Sequence, residues 1–404
     1  MQEFCYDIVK NPEIFKENVL PAHSDHRFYA TEEEGKEGKS RFCSSLNGLW
    51  KFHYARNYAT VPKDFWREDF DCRNWEEIRV PAHIQLEGYD QPAYTNIQYP
   101  WDGIEAIEPG QIPQDFNPVA SYVKYFYLPE EKKDEPLFIS FQGVESGFAL
   151  WLNGSYVGYS EDSFTPSDFD LTPFARQGEN KIAVQVFKWT AGSWCEDQDF
   201  YRFSGIFRDV FLYTVPKVHV YDLKIRPLLQ ENLSQALLEV RMQVRGEGGS
   251  ALCTLSFCGK KVLRAEGFSF SEKVERPLLW SAEQPNLYDL DIRVVDKEGA
   301  LQEVIREKVG FRRIEIKDGL IRLNGKRLVF HGVNRHEFSC NHGRTPSEEE
   351  VLQDVLTMKR NNINAVRTSH NPNASYLYRL CDEYGIYMIA ENNLESHGVW
   401  DQVA

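Results

Sequence analysis

Three stretches in the second half of the chain place ionisable and amide side chains directly after short apolar runs. Such groups transfer protons, bind divalent cations and form hydrogen bonds to hydroxyl groups. The sets are Asn334, Arg335, His336 and Glu337; Arg367, Ser369 and His370; and Glu391, Asn393, Glu395 and His397. Because barrel enzymes carry their chemistry at the carboxyl ends of parallel strands, we expect the three sets to form one site.

The spacing of Glu395 and His397 predicts a shared role. Residues two apart in an extended segment point the same way, so this carboxylate and imidazole could bind one divalent cation. A simple ion pair between the two residues fits the spacing equally well. A zinc-protease motif at His336-Glu337 is excluded, because "HEFSC" lacks a second histidine four residues later.

An earlier segment, "SWCEDQDFYRFSGIFRD", places carboxylates among aromatic residues. Glu196 and Asp199 lie close to Trp194 and Tyr201 in this segment. Aromatic faces stack against the C–H faces of sugars, and carboxylates bind sugar hydroxyls. Acidic surface loops are common, so the segment by itself is only a weak indication of a sugar site.

These polar groups must be positioned by the strands and helices of the fold. Between residues 45 and 215 the sequence predicts a β-sandwich built from short strands, such as "LNGLWKFHY", "PLFISFQGV" and "NKIAVQVFKW". Asn153-Gly154 predicts a type I′ hairpin turn. Ile182, Val184 and Val186 alternate with period two, which predicts a half-buried strand. The acidic stretch at 32–39 is expected to be a solvated loop.

A second all-β stretch follows Pro216, and its regular strands over about 100 residues suit an immunoglobulin-like sandwich. One continuous large β domain is the alternative. After about residue 315 the pattern becomes strand, helix, strand, helix, strand, which predicts a parallel sheet covered by helices. Ser347 as N-cap with Glu350 in a capping box begins the first helix, and Gly385 follows the end of the second.

The composition excludes some partners. Lys and Arg number 46 against 61 Asp and Glu, and the net charge of −15 repels a phosphate backbone and anionic lipid. We therefore expect no nucleic-acid or membrane partner. The chain has no signal-like start or long apolar run, so a cytoplasmic protein is expected. Eight cysteines without a C-x-x-C pair are expected to be reduced core thiols.

The stretch "NINAVRTSHNPNASYLYRLCDEYGIYMI" is similar to the first signature of glycoside hydrolase family 2. One position departs from that signature, since Asn371 stands where the family usually has Tyr. The resemblance extends through "PAHIQLEGYDQPAYTNIQYPW", "EDQDFYRFSGIFRDV" and "GVNRHE". These stretches resemble the large β-galactosidases that hydrolyse lactose more than the related β-glucuronidases or β-mannosidases.

The resemblance implies a multidomain protein, mainly β and then α/β. An N-terminal arm (1–44) would precede a jelly-roll sugar-binding sandwich (45–215), an immunoglobulin-like sandwich (216–314) and the start of an (α/β)₈ TIM barrel (315–404). The implied activity is hydrolysis of terminal, non-reducing β-D-galactose from β-galactosides, with retention of configuration. The implied assembly of the full-length enzyme is a homo-oligomer.

The resemblance also implies roles for individual residues. The implied ligands of galactose are Asn96, Asp199, His336 and His370. Asp199 would also bind Na⁺, Glu395 and His397 would bind Mg²⁺, and Arg367 would orient carboxylates.

Retaining glycosidases need an acid/base and a nucleophile about 5 to 5.5 Å apart. In the family both are glutamates on later barrel strands, and neither Glu391 nor Glu395 matches them. Three strands are predicted where a barrel has eight. We therefore expect the chain to be the N-terminal part of a longer enzyme and inactive alone. The alternative is a noncatalytic carbohydrate-binding or assembly subunit.

Overall fold

The computed structural model describes residues 3–132, 135–196 and 199–396. Two β-sandwiches are followed by a small antiparallel sheet and by three parallel strands with two helices. The predicted fold class, mainly β and then α/β, is confirmed. Within the described ranges, no helix has the length and apolar character needed to cross a bilayer.

The first sandwich pairs a seven-stranded sheet, in the order β1-β11-β10-β13-β7-β4-β5, with a four-stranded sheet, in the order β12-β8-β16-β3. Two short strand pairs, β14-β6 and β15-β9, lie beside them. Its strands are β1 (Lys16–Glu17), β3 (Cys43–Ser45), β4 (Gly48–Ala55), β5 (Glu76–Val80), β6 (Ala93–Thr95), β7 (Val119–Leu128), β8 (Leu137–Phe141), β9 (Val144–Glu145), β10 (Gly147–Leu152), β11 (Ser155–Ser160), β12 (Ser167–Asp170), β13 (Gly178–Phe187), β14 (Phe200–Arg202), β15 (Gly205–Ile206) and β16 (Val210–Thr214). Strand β2 (Phe28–Tyr29) belongs to the second sandwich. Short 3₁₀ helices occupy Tyr6–Lys10, Tyr58–Thr60, Glu130–Lys132 and Ala191–Trp194.

The turn between β10 and β11 is the predicted one. Asn153 and Gly154 have φ values of 50° and 80°, the positive pair that a type I′ turn requires.

Strand β13 differs from its prediction, because both of its faces are buried. Ile182, Val184 and Val186 pack into the core between the two sheets, as expected. Ala183 and Phe187, on the opposite face, lie in a second core. The N-terminal segment covers that face, and the ring of Phe4 stacks on Phe187 with centroids 5.8 Å apart. The predicted alternation with period two is correct, but the sequence of the strand does not show that the N-terminal segment covers its outer face.

The second sandwich packs the sheet β17-β18-β21 on the sheet β2-β23-β22-β19-β20 around its own apolar core. Its strands are β17 (His219–Leu229), β18 (Gln235–Arg245), β19 (Ser250–Phe257), β20 (Lys260–Glu266), β21 (Ser269–Glu275), β22 (Tyr288–Val295) and β23 (Leu301–Val309). Strand β2 comes from the N-terminal segment, and its Phe28 pairs with Ile305 of β23.

The acidic stretch at 32–39, expected to be a loop, contains the short helix α1 (Glu32–Glu37). The side chain of Thr31 accepts a hydrogen bond from the amide of Glu34 and caps the start of this helix.

The cysteines differ in part from the expectation of reduced core thiols. All eight are free, but only Cys72, Cys253 and Cys381 are buried.

The last part of the described chain is a strand–helix unit. A small sheet of β24 (Ile314–Lys317), β25 (Leu320–Leu323) and β26 (Lys326–Arg327) precedes it. Then follow β27 (Gly332–Arg335), α2 (Glu348–Arg360), β28 (Ala365–Thr368), α3 (Ser375–Tyr384) and β29 (Tyr387–Ile389). The three strands are parallel and adjacent in chain order, as predicted.

The caps predicted for α2 and α3 are present. Ser347 and Glu350 form both hydrogen bonds of a capping box. Gly385 ends α3 with φ of 73°, and a Cβ atom there would lie 2.4 Å from the carbonyl oxygen of Ala282. Glycine is therefore required both by the backbone conformation and by the close approach of the second sandwich.

Candidate active site

The carboxyl ends of β27, β28 and β29 face the first sandwich at the start of β14. Asp199 lies there on the sandwich side, and its amide donates to the carbonyl oxygen of Asn96 at 3.1 Å. His370, from the loop after β28, lies opposite with its Nε2 atom 3.3 Å from Oδ2 of Asp199. The structure thus brings together two predicted sugar ligands from distant parts of the chain.

His370 contacts several polar groups of the described part of the chain. Its Nδ1 atom lies 3.1 Å from Oε2 of Glu391 and 3.2 Å from Nη2 of Arg367. Arg367 also forms an ion pair with Glu391 through its Nε atom. The imidazole is therefore held between a carboxylate of the sandwich and a carboxylate of the segment that follows β29. The role of Arg367 in orienting carboxylates stays a prediction.

His336 lies beside His370, with ring centroids 5.7 Å apart and planes at 79°. Partial burial lowers the pKa of His336, and the neighbouring His370 lowers it further. The carboxylate of Asp199 acts in the opposite direction. A neutral imidazole can donate from one nitrogen and accept at the other, which suits contact with a sugar hydroxyl.

Asp199 has a partner that the sequence did not single out. The hydroxyl of Tyr94, in β6, donates to Oδ1 of Asp199 at 2.5 Å. This hydrogen bond and the neighbouring His370 hold the pKa of Asp199 below its ordinary value. The pairing of β6 with β14 places Tyr94 opposite Tyr201, a contact that spacing along the chain cannot reveal.

The metal prediction can be examined only in part, because His397 lies outside the described residues. Among those that are described, His370, Glu391 and Glu395 each offer a ligand atom, and the three atoms lie within 4.8 Å of one another. Two carboxylates and an imidazole suit a hard divalent cation such as Mg²⁺ or Mn²⁺. Glu395 therefore fits the predicted role, and Glu391 is a candidate ligand that the prediction did not include.

The segment that carries Glu395 is attached to the sandwich. The backbone amide of Glu395 donates to the carbonyl oxygen of Cys195 at 2.8 Å. Next to it, the buried carboxylate of Glu196 accepts from the Ser163 hydroxyl at 2.6 Å and from Nδ2 of Asn393 at 2.5 Å. Burial raises the pKa of Glu196 to about 8. Glu196 therefore links the sandwich to the segment that carries Asn393 and Glu395.

The aromatic residues of the acidic segment have separate roles. Trp194 packs against Tyr99 and Trp101 in a small buried cluster. Tyr201 is exposed, and its ring lies 5.5 Å from those of Tyr94 and Phe338. Tyr201 therefore presents an exposed aromatic ring beside Tyr94, whereas Trp194 is part of a buried core.

The structure is that of a multidomain protein whose polar site lies between a β-sandwich and the start of a parallel strand–helix unit. Comparison with known proteins gives its family. Residues 43–216 match the sugar binding domain of glycosyl hydrolases family 2, residues 218–312 match a second domain of that family, and residues 314–404 match its TIM barrel domain. The chain belongs to glycosyl hydrolase family 2.

The relatives include a protein of Halalkalibacterium halodurans named beta-galactosidase, 51% identical over 98% of this chain and 40% of that protein. A beta-galactosidase of Streptococcus thermophilus is 46% identical over 100% of this chain and 40% of its own length. The beta-galactosidase large subunit of Latilactobacillus sakei is 43% identical over 97% of this chain and 66% of its own length. The chain thus spans about two fifths of the first two relatives.

Among solved structures, a beta-glycosidase from Bacteroides vulgatus is similar with a TM-score of 0.70 and 26% identity, over 87% of this chain and 44% of the other. A b-glucuronidase from Ruminococcus gnavus has a TM-score of 0.72 at 22% identity, over 93% of this chain and 61% of the other. The second likeness concerns the fold alone.

Proposed function

We propose that this chain is the N-terminal part of a β-galactosidase that removes terminal, non-reducing β-D-galactose from β-galactosides such as lactose. The convergence of Asp199, His336 and His370 at one edge carries the proposal, because these groups suit the hydroxyls of a sugar ring. The names and identities of the relatives support galactose as that sugar. A cytoplasmic homo-oligomer is proposed for the complete enzyme.

In this proposal the described residues bind and orient the substrate. Asn96, Asp199, His336 and His370 contact galactose hydroxyls, and the contacts that tighten in the transition state raise the rate. Arg367 keeps Glu391 and His370 in place. The acid/base and nucleophile glutamates come from sequence beyond residue 404, and hydrolysis proceeds by double displacement with retention.

Two cations are part of the proposal. Glu395 and His397 are assigned to Mg²⁺, with Glu391 as a further candidate, and an oxygen of Asp199 is assigned to Na⁺. When bound, Mg²⁺ supplies positive charge that favours the ionised form of a nearby acid. Mn²⁺ would suit the same ligands.

Sugar binding can be tested on the chain itself. With ¹³C-labelled histidine, D-galactose should shift the signals of His336 and His370, and D-glucose, which differs at one hydroxyl, should shift them far less. The same titration of Asp199→Asn should require more galactose. Equal responses to both sugars, or none, would contradict the proposed specificity.

Activity requires a second experiment. The 404-residue chain should release no nitrophenol from a nitrophenyl β-galactoside, whereas the product of the reading frame continued past Ala404 should do so. If the longer protein binds galactose but hydrolyses no nitrophenyl β-galactoside, the alternative of a noncatalytic sugar-binding subunit is favoured instead.

A further inference from the structure

Arg208 crosses from the first sandwich into the edge that carries the two histidines. It follows β15, and its side chain is only 9% exposed. The Nη2 atom lies 2.7 Å from Oε2 of Glu337 and 2.7 Å from the carbonyl oxygen of Pro372. The Nη1 atom donates to the carbonyl oxygen of Phe164 on the sandwich, also at 2.7 Å. One guanidinium thus joins three separate segments.

The two partners of Arg208 outside the sandwich are neighbours of the two imidazoles. Glu337 directly follows His336, and Pro372 lies two residues after His370. The second oxygen of Glu337 accepts a hydrogen bond from the amide of Ala374 at 2.8 Å. The end of β27 and the loop at 369–374 are therefore tied to each other as well as to Arg208.

The chemistry of this contact favours one geometry. A buried carboxylate such as Glu337, whose side chain is 2% exposed, needs a positive partner to offset its loss of solvation. The planar fork of a guanidinium fixes the directions of several hydrogen bonds at once, which an ammonium group cannot do. Neither imidazole is contacted by Arg208 itself, so any effect on them passes through Glu337 and Pro372.

We propose that Arg208 is a positioning residue, which sets the relative placement of His336 and His370 by holding Glu337 and the 369–374 loop against the sandwich. The inference goes beyond the proposed function and does not require it, since its test measures the imidazoles and the loop and not hydrolysis.

A purely structural ion pair between domains is the competing explanation. Lys188 and Asp90 provide the matched control: they form a buried ion pair at 2.5 Å, with side chains 4% and 9% exposed, inside the sandwich. Lys188→Met should reduce stability without changing the relative placement of His336 and His370. Arg208→Met should reduce stability and also change that placement.

The experiment compares the parent chain with Arg208→Met, Arg208→Lys and Lys188→Met. Two-dimensional spectra of ¹³C-labelled histidine report the ring environments of His336 and His370, and hydrogen exchange reports the amide of Ala374. For Arg208→Met we expect the signals of both rings to shift and the nuclear Overhauser cross-peak between the two rings to be lost. Hydrogen exchange at the Ala374 amide should become faster by about tenfold. Lys188→Met should leave all three readouts at the parent values.

Arg208→Lys keeps the charge, so it tests the inference even if Arg208→Met does not fold. A lysine can pair with Glu337 but cannot also reach Phe164 and Pro372, so its ring signals should lie between those of the parent and of Arg208→Met. Parent-like ring signals and parent-like Ala374 exchange in Arg208→Lys would overturn the inference. Changes in Lys188→Met as large as those in the Arg208 variants would do the same.

Discussion

The Nε2 atom of His370 and the Oδ2 atom of Asp199 lie 3.3 Å apart, although 171 positions separate the two residues in the sequence. One belongs to the parallel strand–helix unit and the other to the first sandwich. The candidate sugar site is therefore shared between domains, and each domain alone presents only part of it.

Replacing Tyr94 by Phe should raise the pKa of Asp199, because the hydroxyl of Tyr94 is the largest influence that lowers it. A carbon-detected titration of the Asp199 carboxyl group measures this. Tyr201→Phe, at the exposed neighbouring ring, is the control and should leave the titration unchanged. An unchanged titration in Tyr94→Phe would show that the hydrogen bond at 2.5 Å has little effect on the ionisation of Asp199.

Replacing His370 by Gln should raise the pKa of His336, because the neighbouring imidazole, which lowers that pKa, is removed. The pKa should remain below its ordinary value, since partial burial, the larger cause, persists. A histidine titration by NMR measures the change, and His342→Gln provides a control at an exposed histidine. A lower pKa for His336 in His370→Gln would contradict the expected sign.

Replacing Phe4 by Ala should lower the free energy of unfolding of the first sandwich by about 1 to 3 kcal/mol, because Phe4 covers the outer face of the large sheet. Denaturant unfolding followed by tryptophan fluorescence suits the measurement, since Trp151 lies against Phe4. Phe15→Ala removes an aromatic ring that is 56% exposed and should cost little. Similar losses in both variants would argue against the second core.

Replacing Glu303 by Gln should change how stability depends on pH. Burial raises the pKa of Glu303 to about 8, so the folded chain holds a proton that the unfolded chain releases near the ordinary value of 4.5. The stability of the parent should therefore fall as pH rises from about 4.5 to 8. Gln keeps an acceptor for the Val220 amide and cannot ionise, so this part of the fall should disappear.

Melting temperatures between pH 4.5 and 9 check the Glu303 prediction. The exposed Glu266, on β20 of the same sandwich, gives a matched control in Glu266→Gln. If the melting temperatures of the parent and of Glu303→Gln change with pH in the same way, Glu303 does not hold its proton in the folded chain above pH 4.5, and the prediction is wrong.

Replacing Glu395 by Gln in the complete enzyme should weaken Mg²⁺ binding by roughly tenfold or more and lower the turnover rate, because a charged ligand is lost while the shape is kept. Calorimetry and a magnesium titration of activity measure the two effects. His336→Ala should lower the rate without moving the magnesium midpoint, since His336 lies outside the carboxylate set. If His336→Ala moves the midpoint as far as Glu395→Gln, the assigned roles are wrong.

The sequence predicts best what depends on neighbours along the chain. Ser347 and Glu350 mark the start of α2, and apolar runs mark the strands after which His336 and His370 follow. Contacts between residues far apart in the chain leave no local pattern, so the sequence indicates neither the hydrogen bond of Tyr94 to Asp199 nor the ion pair of Arg208 with Glu337. The burial of both faces of β13 also escaped prediction, because the covering residue Phe4 lies far away in the sequence.

The path of the N-terminal segment has a consequence for how the chain responds to cleavage. Strand β1 pairs with β11 of the first sandwich, β2 pairs with β23 of the second, and β3 returns to pair with β16 of the first. Residues 16–45 thus form a strap across both bodies, in addition to the direct link at Pro216. A protease that nicks the chain at that link should leave two fragments that migrate together on a native gel and separate only in denaturant.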